Sequence, residues 1–103
     1  KAKLQWILDH AKESEIKDIT RLRLAGILLD EQKFDEALRL LDSQHGEPFS
    51  ALYADLKGDI FVAAGKSNEA SAAYQKAYDR FSMSKSNYMN LVQMKLDAVK
   101  ASK

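Results

Sequence analysis

Residues 18–41 and 51–74 repeat one another at a shift of 33, and no other feature limits the folds open to this chain as much. The better-defined copy sits in residues 50–81, SALYADLKGDIFVAAGKSNEASAAYQKAYDRF, two helical segments parted by Gly65-Lys66-Ser67-Asn68. A helix turns every ~3.6 residues, so Ala54, Gly58 and Phe61 share one stripe. Ala70, Ala73 or Tyr74, and Ala77 do the same in the second segment. A glycine inside a helix costs up to ~1 kcal/mol against alanine, so Gly58 marks a place where another chain segment comes close. Small residues beside aromatic ones predict a small-to-large interlock between two antiparallel helices. In residues 18–41, DITRLRLAGILLDEQKFDEALRLL, Ala25 stands for Gly58, Leu28 for Phe61, Phe34 for Ser67, Ala37 for Ala70 and Leu41 for Tyr74.

The turns repeat as well. DEQKFDEAL and AAGKSNEAS each carry a polar break followed by Asp35-Glu36-Ala37 or Asn68-Glu69-Ala70. Asp, Asn or Ser there can cap orphan N–H groups, and the glutamate suits the positive end of a helix. With this residue pattern and spacing the chain resembles tetratricopeptide repeats, whose unit is about 34 residues and buries its apolar face only by stacking on a neighbour. The expected fold is all-α, a tetratricopeptide-repeat-like α-solenoid of antiparallel helix pairs with about six helices. An ordinary helical bundle with chance self-similarity is the alternative.

The chain reads as a single domain fragment over 1–103. Residues 1–13 are expected to be the second helix of a truncated repeat, because Leu4, Ile7, Leu8 and Ala11 form a stripe and Ala2 and Trp6 match Ala37 and Leu41 at a shift of 35. Trp6 then reads as a packing residue or, alternatively, as a ligand platform. Residues 18–46 and 48–81 are the repeats, with Ser14 or Asp18 capping the first, Gly46 a left-handed stop and Pro48 opening the helix from Ser50. Residues 85–100 are a C-terminal capping helix, with Ser84 and Ser86 as candidate caps and Lys95, Asp97, Lys100 and Lys103 on a polar outer face.

Composition closes off other classes. The chain has 103 residues, 46% of them hydrophobic, with 16 basic and 15 acidic side chains and a net charge of +1, which suits one core. No basic stretch is free of interleaved acids, so nucleic acid is not an expected partner. There is no cysteine, hence no disulfide, thiol nucleophile or thiolate metal site. No apolar run approaches the ~20 residues of a membrane span, so this segment is not expected to contact the membrane itself. It opens at Lys1 inside helix-forming sequence, which reads as a piece of a longer protein.

No catalytic constellation emerges. His10 and His45 lie in different segments with no second ligand at metal spacing, and Asp30-Glu31 and Asp35-Glu36 fall in turns, not across a cleft. Neither a phosphate-binding glycine loop nor a Ser-His-acid arrangement is present. No cofactor, metal or enzymatic activity is expected. Met83, Met89 and Met94 read as core filling, or as an adaptable surface.

What remains is surface. In a stack of helix pairs the first helices line the inner side, and the residues opposite the interlock face it. These are Ile19, Leu22, Gly26 and Leu29 in one repeat and Leu52, Asp55, Asp59 and Val62 in the next, with Tyr88 and Val92 extending the row. The apolar members suit an extended or helical peptide. Two readings stay open: a partner covers them, or the final helix does. Partner-binding candidates are therefore Ile19, Leu22, Leu29, Leu52, Asp55, Asp59, Val62 and Tyr88, and the acids favour partners that mix apolar and basic residues.

A narrower resemblance rests on the order RLRLAGILLDEQKFDEALRLLD, then HGEPFSALYADLKGDIFVAAGKSNEASAAYQKAY, then NLVQMKLDAV. Over residues 18–99 it looks like the C-terminal periplasmic part of the YfgM family of ancillary Sec-translocon subunits. That resemblance implies a single-pass inner-membrane protein whose repeats face the periplasm. Its partners would be the translocon and a membrane-anchored periplasmic chaperone of the prolyl-isomerase type. The expected function is a non-catalytic protein–protein interaction module, an adaptor in protein export; the alternative is a structural scaffold in another multiprotein assembly.

Overall fold

Small residues at helical spacing, an apolar stripe on each segment and short polar breaks dictate helices joined by tight turns. The computed structural model, which describes residues 1–10, 14–42 and 49–101, contains six of them. They are α1 (Ala2–His10), α2 (Ser14–Asp30), α3 (Phe34–Leu41), α4 (Ser50–Ala63), α5 (Ser67–Met83) and α6 (Tyr88–Ala101). No strand occurs among the described residues. The chain divides into two compact units, Lys1–Phe49 and Ser50–Lys103.

Three of the turns end their helices in the same way. Gln32, Gly65 and Lys85 adopt left-handed φ values of 62°, 78° and 55°. After α2 the Lys33 N–H bonds to Leu28 O at 2.8 Å and the Gln32 N–H to Leu29 O at 2.9 Å. After α4, Lys66 bonds to Phe61 O at 2.8 Å and Gly65 to Val62 O at 3.1 Å; after α5, Ser86 bonds to Phe81 O at 2.9 Å and Lys85 to Ser82 O at 3.1 Å. Each pair is the Schellman motif, which satisfies the last carbonyls and turns the chain back sharply. Gln32 and Gly65 lie 33 residues apart. The sequence repeat is thus a repeat of turn geometry, although only one copy has the glycine the geometry favours.

The expected side-chain caps at the following helices do not form. The N-cap residues are Lys33 and Lys66, and neither makes a capping bond through its side chain. Asp35, Glu36 and Glu69 stand in the first turns, where their charge still complements the helix end. Asp18 is no cap either: α2 begins at Ser14, and Asp18 is buried inside it with Arg21 Nη1 at 3.2 Å. Gly46 and Pro48 lie outside the described residues, as do His45 and the side chain of His10. Before α6 the Tyr88 N–H bonds to the Ser86 hydroxyl at 3.2 Å, so of the two candidate serines Ser86 is the cap.

Within the first unit, Leu24, Ala25 and Leu28 of α2 are buried, as are Ala37 and Leu41 of α3. In α1, Leu4, Ile7 and Leu8 are half-buried beside α2, while Trp6 is 61% exposed. The second unit has one contiguous core: Ala51 and Ala54 of α4; Ala70, Tyr74, Ala77 and Phe81 of α5; Val92, Leu96 and Val99 of α6. Phe61, Tyr78 and Met89 pack against it. A methyl group built on Gly58 would overlap the Tyr74 ring and come 2.9 Å from its Cζ. Gly58 is therefore the seat of Tyr74, the interlock its position implied.

Candidate functional site

A stripe of α4 flanking its core contacts carries Leu52, Asp55, Asp59 and Val62, spaced by three, four and three residues so that they line up along the helix. Leu52 is 37% and Val62 48% exposed, and the two aspartates between them are half-buried. Their surroundings come from α5 and α6. Lys95 of α6 extends its Nζ between the carboxylates, 3.1 Å from Oδ1 of each and 3.4 Å from each Oδ2. The Tyr74 hydroxyl donates to Asp59 Oδ1 at 2.6 Å, and the Lys95 ammonium lies 5.7 Å from the centre of the Tyr74 ring. The residue seated on Gly58 is thus also the one that orients Asp59.

The electrostatics follow from partial burial of two negative charges and one positive. Burial pushes the Asp55 carboxyl above its ordinary 3.8 and outweighs the pull of Lys95 in the other direction. Burial alone would lower Lys95, but the two carboxylates overcome it and hold the ammonium above 10.5. Tyr74 is held well above its ordinary 10.0, first by burial and then by the bond to Asp59 and the charges of both aspartates. The cluster keeps one negative charge in excess.

Lys95 is where sequence reasoning placed a residue on the wrong side. It was expected on the polar outer face of a capping helix, yet it reaches inward across α6 to α4. A signal existed: Lys95 falls among Leu91, Val92 and Leu96, and a cation in an apolar stripe calls for carboxylates, which α4 supplies one turn apart. Val92, expected to extend the open row, is buried in the core instead. Two of the methionines read as core filling are not: Met83 and Met94 are exposed, Met94 at 68%, and Met89 alone packs on the core.

Of the other candidate residues, Tyr88 is 59% exposed, with its ring centroid 5.6 Å from that of Phe81. It shares a stripe of α6 with Lys95, seven residues on. In the first unit Ile19 is exposed, while Leu22 and Leu29 are half-buried. That unit also has an open cleft of about 570 Å³ lined by Gln5, Leu24, Leu28, Glu36, Arg39 and Leu40. Among the described residues no group of three His, Cys, Asp or Glu could hold a metal ion, and no helix is long and apolar enough to cross a membrane.

Residues 1–101 match the model of the tetratricopeptide repeat-like domain family. The chain is similar to the ancillary SecYEG translocon subunit of Neisseria gonorrhoeae, 37% identical over 97 residues, which cover 94% of this chain and 46% of that protein. The subunit of the same name from Escherichia coli is 32% identical over 74 residues, 72% of this chain and 36% of the relative. That of Haemophilus influenzae is 33% identical over 76 residues, 74% of this chain and 37% of the relative. The chain spans less than half the length of these curated relatives. No solved structure matches it.

Proposed function

The chain belongs to the tetratricopeptide repeat-like domain family, and from that premise we propose that it is the protein-binding domain of a Sec-translocon-associated subunit. It acts without catalysis, as an adaptor on the periplasmic face of the bacterial inner membrane that works with periplasmic chaperones on exported proteins. The observation that carries this reading is the shared identity with proteins named ancillary SecYEG translocon subunits, which extends over 94% of the chain in one case. A second support is the half-apolar α4 stripe, whose exposed Leu52 and Val62 no core contact accounts for. Ile19, Leu22, Leu29 and Tyr88 are further contact residues in this reading.

The test is site-specific photo-cross-linking from position 52 or 62 of the full-length protein in its own membrane, with adducts identified by mass spectrometry. Adducts to translocon subunits or a periplasmic chaperone are expected, together with protease accessibility of the domain from the periplasmic side. Adducts confined to one fixed partner outside the export machinery would replace the adaptor by a structural scaffold. Protection from periplasmic protease would overturn the localisation.

A further inference from the structure

We propose that the stripe of α4 from Leu52 to Val62 takes a partner segment in which one lysine or arginine is flanked on both sides by apolar side chains. This rests on the reading of that stripe as a protein-binding surface and names the chemistry it selects. The stripe runs apolar, acid, acid, apolar from Leu52 to Val62. Ten residues at ~1.5 Å each separate its ends by about 15 Å. An extended segment, rising ~3.3 Å per residue, covers that length in about five residues. Its central cation then lies over Asp55 and Asp59 while its outer side chains lie over Leu52 and Val62.

Charge complementarity selects the cation. Lys95 supplies one positive charge to two carboxylates, so one negative charge remains at half-buried groups, where Coulomb attraction exceeds that in open water. Tyr74 cannot offset it, because its one hydroxyl proton is already donated to Asp59. Two carboxylates with apolar residues at either end are too few oxygens for a hard metal ion and suit an organic cation with apolar neighbours.

The experiment measures fluorescence anisotropy of labelled peptides Ser-Leu-Ser-Arg-Ser-Leu-Ser and its citrulline counterpart, titrated with the full-length protein. The arginine peptide is expected to bind about tenfold more tightly at low salt, with the advantage shrinking as ions screen the site. Asp55→Asn with Asp59→Asn should erase the difference, Lys95→Met should enlarge it by removing the internal competitor, and Lys95→Arg should leave it unchanged. Equal binding of the two peptides by the unaltered protein, which needs no variant to fold, overturns the proposal, as does a difference that survives the double Asn change. Failure of both peptides to bind while position 52 still cross-links to the translocon would overturn this inference alone. Selective arginine binding without such adducts would uphold it and overturn the export reading.

Discussion

At Gly58 two effects of opposite sign meet. Adding a methyl group favours the helix by up to ~1 kcal/mol. It also drives that group into the Tyr74 ring, which has little freedom to move because its hydroxyl is tied to Asp59. Overpacking costs ~1–3 kcal/mol, so Gly58→Ala should destabilise by about 1–2 kcal/mol and Gly58→Leu by more. Gly26 is the control: nothing lies within 4 Å of its Cβ position, and Gly26→Ala should stabilise by up to ~1 kcal/mol. Urea titrations of the two alanine variants should move in opposite directions; equal shifts would remove Gly58 from the interlock. The Tyr74 cluster also makes a pH prediction. Tyr74 is held above 10.0 and Lys95 above 10.5, so the folded chain retains protons that the unfolded chain gives up first. The stability this linkage contributes is present below pH ~10 and is lost as the pH rises beyond it. Denaturation midpoints between pH 8 and pH 11 should fall less steeply in Tyr74→Phe and Lys95→Met than in the unaltered protein. Superimposable slopes would refute the linkage. The seat at Gly58 was legible because a glycine at a helical core position has few other uses. The ties of Tyr74 and Lys95 to the aspartates were not, since one-dimensional spacing does not say which flank of a core stripe turns toward a third helix.

At the scale of elements, the three Schellman turns differ in how well their central residue suits them. A left-handed conformation costs a residue with Cβ ~1–2 kcal/mol, and replacing it by glycine raises unfolded-chain entropy by ~0.5–1 kcal/mol. The balance favours glycine, so Gln32→Gly and Lys85→Gly should each stabilise by about 0.5–1 kcal/mol. Gly65→Ala should lose about 1 kcal/mol, read by thermal or urea unfolding. No gain at Gln32 would mean that its side chain offsets the backbone strain. This asymmetry explains why the helix ends were harder to read than the helix pairs. Pairing is written in Ala25, Ala37, Gly58 and Ala70, where only small residues fit. A left-handed turn held by two backbone bonds tolerates Gln or Lys and leaves no mark at those positions. The caps expected from Asp35 and Asn68 were misplaced for the same reason: the turn residues before them, Lys33 and Lys66, occupy the cap positions through backbone geometry alone.

Across the whole molecule, the 33-residue recurrence specified the helix pairs, and the family match over residues 1–101 agrees with it. Recurrence is a packing signal, however, and the stripe proposed here for binding has its apolar ends, Leu52 and Val62, outside the packed core. Leu52 and Val62 stand out only once the core of the second unit is assigned to Ala51, Ala54 and their partners on α5 and α6. A surface role and a core role then predict different costs. Leu52→Ser and Val62→Ser remove the apolar ends of the stripe without altering its charge, at half-exposed sites, so each should cost about 1 kcal/mol or less. Leu96→Asp, on the buried side of α6, places an unpaired charge in an apolar site and should cost several kcal/mol, enough to unfold a domain of ordinary stability. If the stripe is the contact surface, the Leu52→Ser/Val62→Ser protein should melt near the unaltered one and yet lose most cross-linking from a photo-reactive residue placed nearby on α4, at position 56. Its binding of the arginine peptide should weaken while the preference over citrulline persists, because Asp55 and Asp59 remain. A well-folded double variant that cross-links at full yield would show that partners dock elsewhere. A double variant that unfolds would show that Leu52 and Val62 serve the core, and that α4 presents its acids for the sake of Lys95 alone.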